Sequence, residues 1–241
     1  MKKLCTLLAL IMLLTCVPMS GCTAEPEPNP ATDFEYEIGE DGNVTITKYI
    51  GQAIDVVIPT QIEGKNVTQI EGTAFSYNKS IKSLVIPSTI TSLVPAAFAF
   101  CTSLETVTLP ETLLSIGNAT FEECTSLSKI TLPSHLESIG TRAFAKCSSL
   151  KEINIPGNCF SDTCFESFCD AGLETVIFEG SIDYIPQSTF GRCYNLSRIY
   201  FEGNAPSVFC YLENNDCIIY YHKDAQGFTS PEWNGYPTKT W

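Results

Sequence analysis

Apolar residues recur along this chain at a fixed step of 23 residues, and that period restricts the fold more than any other feature. Phe98, Phe121 and Phe144 keep the step, with Phe75 before them and Phe190 after one slipped repeat. Cys101, Cys124 and Cys147 follow it too, with Cys193 two periods on. So do Leu104, Leu127, Leu150, Leu173 and Leu196, preceded by Ile81. Two more columns run through Leu84, Val107, Ile130, Ile153, Val176, Ile199 and through Ile86, Leu109, Leu132, Ile155, Phe178, Phe201. A unit this short cannot bury its own apolar side, so the copies must stack and align their equivalent side chains into ladders. The chain is therefore expected to form an elongated solenoid.

Within a unit, Leu104, Val107 and Leu109 place alternate side chains on one face, the period of a strand. Pro110 and its equivalents Pro87, Pro133 and Pro156 lack an N–H and end that strand. A second apolar anchor follows (Leu93, Ile116, Ile139 or Ile185), and the return segment, such as 118–124, predicts one or two helical turns. The product is a right-handed solenoid with a parallel sheet along one face. About seven rungs, beginning near Val56, give a sheet roughly 30 Å long at ~4.8 Å per strand. Segments 34–38 and 44–49 flank the turn signal Glu40-Asp41-Gly42-Asn43 and predict a hairpin cap over 34–52, ahead of a solenoid over 53–205. Over 206–241, a last strand near 217–221 and the bulk of Phe228, Trp233, Tyr236 and Trp241 predict a C-terminal cap.

The N-terminus reads as a processing signal over 1–21. Lys2 and Lys3 precede an apolar run shorter than the ~20 residues needed to span a bilayer, and Pro18, Ser20 and Gly21 close it. Met19-Ser20-Gly21-Cys22 resembles the bacterial lipobox, with Met where Leu is usual, which implies lipidation of Cys22; the alternative is ordinary cleavage nearby with an incidental cysteine. The segment 22–33, with Glu25-Pro26-Glu27-Pro28, predicts an extended tether. Loss of Lys2 and Lys3 leaves 12 of 14 basic residues against 27 acids, a mature charge of about −15, which disfavours nucleic acid and anionic membrane surfaces as partners.

The run Ile116-Gly-Asn-Ala-Thr-Phe121-Glu-Glu-Cys124-Thr-Ser-Leu127-Ser-Lys-Ile130-Thr-Leu132-Pro133, its copies, and the opening Val44-Thr-Ile-Thr-Lys-Tyr-Ile-Gly51 resemble the BspA-like leucine-rich-repeat family of bacterial surface proteins, over residues 34–241. The resemblance implies an α/β leucine-rich-repeat solenoid with short helical turns, displayed at the bacterial cell surface, and the function of an adhesin or surface interaction protein. The chain departs from the pattern over 156–171, where Asp162 occupies an apolar slot and Ser167 stands where Phe belongs.

Little in the sequence points to catalysis. The ladder cysteines Cys101, Cys124 and Cys147 are expected as free thiols, because stacked copies lie at the rung spacing of ~4.8 Å, longer than a disulfide prefers. Cys159, Cys164 and Cys169 read as structural thiols or one local disulfide rather than a metal site, since no histidine is near; Cys210 and Cys217 can close a loop. His135 and His222 are the only histidines and read as a solvated turn residue and cap surface. No phosphate-binding or metal motif occurs, so no catalytic residue, metal or cofactor is expected. The outward register of the sheet instead exposes Thr175 and Ile177 beside Arg198 and Tyr200, a cluster with the aromatic and guanidinium content of binding hot spots. These observations predict an extracytoplasmic interaction module, lipid-anchored to the membrane, that binds a protein or glycan of a host or neighbouring cell through its sheet face. The alternative is a non-binding spacer or accessory subunit of an envelope assembly.

Overall fold

The structure, a computed structural model, describes residues 26–157, 159–161 and 164–241; the signal segment, Cys22 and Asp162 lie outside the described residues. The chain is a solenoid of stacked coils with parallel strands and almost no helix. β1 (Phe34–Ile38) and β2 (Val44–Tyr49) form an antiparallel hairpin, which joins β4 (Gln61–Ile62) and β5 (Lys65–Ile70) in the order β1-β2-β5-β4. β3 (Asp55–Val57) is the first rung of the long face. It is followed in a parallel sheet by β6 (Ser83–Val85), β8 (Thr106–Thr108) and β10 (Lys129–Ile130). β7 (Ser92–Leu93), β9 (Ser115–Ile116) and β11 (Ser138–Ile139) build a second parallel ladder after the prolines. β12 (Glu152–Pro156), β13 (Thr175–Glu179), β14 (Arg198–Phe201), β15 (Ile218–Tyr221) and β17 (Tyr236–Thr240) continue the face in parallel, closed by the short antiparallel β16 (Glu232–Trp233). The parallel sheet thus runs on through β15 and β17, within the segment read from sequence as a cap.

The expected helical turns are absent from the described repeats, and the reason is visible in the backbone. Ala119, Glu123, Arg142 and Lys146 all have φ between +54 and +61°, a left-handed conformation that no α-helix tolerates. Alternate amides of the return segment donate to the next coil instead of four residues back: Ala119 to Thr141 O (2.9 Å), Phe121 to Ala143 O (2.8 Å) and Glu123 to Ala145 O (2.9 Å). Bonding between coils therefore replaces bonding within a helix.

The core is a set of columns. Phe75, Phe98, Phe121, Phe144, Phe168 and Phe190 are buried, with successive ring centroids 5.1–5.7 Å apart. The irregular repeat corrects one expectation: Phe168 takes the aromatic slot, and Ser167 drops into the position of Thr120, donating to Gly140 O at 3.1 Å. A one-residue insertion before Phe168 is the cause. Ionic ladders hold the outer corner: Lys146 pairs with Glu123, Arg142 with Glu122 (2.5 Å) and Glu166 (2.6 Å), and Arg192 with Asp170 (2.7 Å).

The long face is interrupted between β10 and β12. Elsewhere two successive amides donate to one carbonyl of the preceding rung, as Ser128 and Lys129 do to Glu105 O (3.0 and 3.3 Å) and Glu174 and Thr175 to Lys151 O (2.8 and 3.1 Å). Among the described residues, Lys151 and Glu152 make no such bonds to Ser128. A depression of about 510 Å³ opens there, lined by Lys129, Thr131, Glu152 and Asn154 among others. The face is two sheets rather than the single run expected.

At the N-terminal edge, Asn29 occupies the place of a missing strand. Its amide donates to Val57 O (2.9 Å) and its side-chain oxygen accepts from the Val57 amide (2.8 Å), so the edge of β3 is covered.

All nine cysteines of the described residues are free and buried. Each ladder thiol donates to a backbone carbonyl of the coil before it: Cys101 to Phe75, Cys124 to Phe98, Cys147 to Phe121 and Cys193 to Phe168, at 3.1–3.3 Å. The thiol thus fills a small buried slot and spends its weak S–H donor on the neighbouring coil. Burial pushes Cys101, Cys159, Cys193 and Cys217 up to about 12 from an ordinary 9.0. In the unfolded chain these thiols ionise near pH 9, whereas in the fold they keep their protons. Their contribution to stability is thus complete below pH 9 and is lost as pH rises toward 12, by roughly 1 kcal/mol per thiol at about pH 10. The urea midpoint is expected to fall between about pH 8.5 and 10.5 and to fall less steeply in Cys101→Ala. A midpoint flat across that interval contradicts the buried thiol column.

Candidate functional site

β13, β14, β15 and β17 lie in parallel register, and alternation along each strand decides what reaches solvent. β14 shows it plainly: Arg198 is exposed, Ile199 buried, Tyr200 half-buried and Phe201 buried. Pairing aligns Ile177, Tyr200, Tyr220 and Lys239 in one outward row. A second row holds Glu152, Thr175, Arg198 and Ile218.

The four residues expected on this face are brought together. Ile177 lies beside Tyr200, and Thr175 beside Arg198. Thr175 is nevertheless only 5% exposed, because Arg198 folds over it and donates from Nε to Thr175 Oγ1 at 3.2 Å. Its hydroxyl holds the guanidinium in place.

Three residues that sequence reasoning left in the cap complete the cluster. Tyr220 stacks on Tyr200 with ring centroids 4.5 Å apart and planes 12° apart. Trp241, half exposed, meets Tyr200 edgewise at 5.3 Å and 76°, and His222 stacks on Trp241 at 4.6 Å. The signal for Tyr220 was hidden by a change of period. A step of 23 residues from Arg198 falls on Tyr221, but Arg198 pairs with Ile218, so the coil is shorter and the outward row passes through Tyr220.

His135 is exposed on its turn, and among the described residues no group of three or more His, Cys, Asp or Glu side chains converges as a metal site. Tyr77 and Phe100 form a second stacked pair (4.6 Å, 1°) on the turn side, with Tyr77 64% exposed.

The model of the BspA type leucine rich repeat region matches six copies across residues 68–197 and 160–212, more than half the chain. The chain belongs to the BspA-type leucine-rich-repeat family. Among solved structures it is similar to a leucine rich repeat protein of T. pallidum, at 30% identity and a TM-score of 0.66, covering 76% of this chain and 86% of that one. It also shares its fold with a leucine rich cell surface protein of Faecalibacterium prausnitzii, at 23% identity and a TM-score of 0.55, covering 80% of this chain and 58% of that one. No curated protein matches it. In BspA-type terms, the aromatic cluster sits on the strand face of the last rungs, where the repeat has shortened and no longer follows the pattern.

Proposed function

We propose that this chain is a non-catalytic interaction module, held outside the cell at a membrane by a lipid on Cys22, that binds a protein or glycan of a host or neighbouring cell. The observation that carries the reading is the cluster of Arg198, Tyr200, Tyr220 and Trp241 on the outward face of rigid, hydrogen-bonded strands. Rings and a planar cation already fixed in place lose little entropy when a partner covers them. Membership of the BspA-type family supports display at a surface, and the F. prausnitzii protein is itself described as a cell surface protein.

The tether supports the same reading. Asn29 is clamped to the first rung, so a lipid on Cys22 would hold that rung within ~25 Å of the membrane. The aromatic cluster then lies at the far end of the solenoid, roughly 30–35 Å beyond at the usual rung spacing. A partner on another surface reaches that end first.

The test is an array of glycans and host surface proteins probed with the mature chain. Tyr200→Ala and Arg198→Ala are expected to weaken a ligand found there by ~1–3 kcal/mol, with the melting temperature nearly unchanged in Arg198→Ala and lowered slightly in Tyr200→Ala by the lost contacts with Tyr220 and Trp241, while Thr108→Ala has less effect on binding. Binding indifferent to both changes removes the sheet face from consideration, and no ligand on a broad array favours the spacer. Cys22→Ala should release the chain from the membrane; retention in the membrane fraction contradicts the anchor.

A further inference from the structure

The geometry of this face also selects the chemistry of its partner, an inference that rests on the binding role just proposed. Tyr200 and Tyr220 stack face to face across neighbouring rungs, so their planes contain the outward direction and they present ring edges and hydroxyls to solvent. A ring edge carries the positive end of the aromatic quadrupole, and a phenol hydroxyl is a donor. The inner faces of the pair cover each other, and the outer faces look along the row toward Ile177 and Lys239 instead of outward, where a sugar ring stacking flat on the sheet would need one. One face of Trp241 is likewise taken by His222.

Two cations flank the rings. Of the three arginines, Arg142 is held by Glu122 and Glu166 and Arg192 by Asp170, whereas Arg198 meets only the Thr175 hydroxyl and no carboxylate within ion-pair distance among the described residues. Lys239 is exposed and pairs in register with Tyr220. On the face, Glu152 lies two rungs from Arg198 toward the N-terminal end, Glu179 accepts from Asn154 at 2.6 Å, Glu174 pairs with Lys151, and Glu202 follows β14. A chain with a formal charge of −13 thus carries a guanidinium two residues from Tyr200 on β14 and an ammonium beside Tyr220 on the next rung.

We propose that Arg198, Tyr200, Tyr220 and Lys239 form a docking site for an acidic segment of a partner protein. The guanidinium fork matches a carboxylate through two parallel hydrogen bonds, the tyrosine edges and hydroxyls favour negative charge beside it, and Ile177 gives an apolar neighbour for an intervening side chain. The acidic remainder of the molecule repels such a segment elsewhere and so sets its place.

The test is selection of short random peptides, displayed on phage, against the immobilised mature chain, followed by titration of a synthetic enriched peptide. Enriched peptides should be rich in Asp and Glu. Their affinity should fall about tenfold in Arg198→Gln, further when Lys239→Gln is added, and steadily with rising salt, while Arg198→Lys restores little. The melting temperature of each variant, expected unchanged because both side chains are exposed, shows that the fold is intact. Absence of enrichment, enrichment without an acidic bias, or acidic peptides indifferent to Arg198→Gln overturns the proposal. Heparin that displaces the peptide and binds more tightly would assign the face to an anionic glycan instead, which also overturns it. Peptides that need Tyr200 and Tyr220 but neither cation would overturn the charge argument and leave the face a binding surface. Peptides indifferent to all four residues would end both readings.

Discussion

Phe121→Ala is expected to destabilise the protein by ~3–5 kcal/mol, read as a fall in the urea midpoint. Phe121 is fully buried, with the rings of Phe98 and Phe144 at 5.5 and 5.4 Å and within 16° of parallel. Deleting it removes an aromatic contact from both neighbours as well as its own transfer free energy. The hole cannot collapse easily, because the coils above and below are kept at a fixed spacing by backbone hydrogen bonds, including one from the Phe121 amide to Ala143 O. The Phe121 carbonyl, moreover, accepts the Cys147 thiol, so movement of this residue disturbs the next column. Tyr77→Ala is the informative contrast. Its ring stacks on Phe100 as closely, but it is 64% exposed, and its loss should cost only ~0.5–1.5 kcal/mol. Equal effects of the two substitutions would mean that the buried aromatic column is not what holds the coils together.

Gly172→Ala should cost about 3 kcal/mol or more although it adds a single methyl group. In the regular repeat, Thr125 and Ser126 connect Cys124 to Leu127, but in the irregular one Gly172 alone connects Ala171, in the cysteine slot, to Leu173. The shortened turn cuts inward over the preceding coil, and the Gly172 amide donates to Cys147 O at 3.1 Å. A Cβ on Gly172 would stand 2.7 Å from the Ser148 carbonyl carbon and nearer still to its oxygen, well inside the ~3.5–4.0 Å of a relaxed contact. The obstruction is backbone, so only separation of the two coils relieves it. Gly180→Ala provides the comparison: Gly180 has φ +75° but nothing near the added carbon, so the change should cost only ~1–2 kcal/mol, from backbone conformation alone. If Gly172→Ala is the milder of the two, the close passage over Ser148 is misplaced.

The sequence by itself determined the stacking of coils, because equal spacing of Phe, Cys and Leu columns leaves no other way to bury them. It also determined which strand residues face out, since alternation needs only the position of the buried neighbours; Ile177, Arg198 and Tyr200 were legible for that reason. Return segments were misread as helical because their left-handed residues, such as Glu123 and Lys146, are ordinary helix formers whose backbone is held by bonds to another coil. Local propensity carries no record of such bonds. The same limit hid the interruption between β10 and β12, where the spacing of Leu127 and Leu150 is regular but the pairing is not. Only the tertiary structure decided that Tyr220 and Trp241 join Tyr200, that Thr175 lies under Arg198, and that no carboxylate of the described residues pairs with Arg198. Each of these depends on how a shortened coil registers against its neighbour, and register is set by packing and hydrogen bonds between residues distant in the chain.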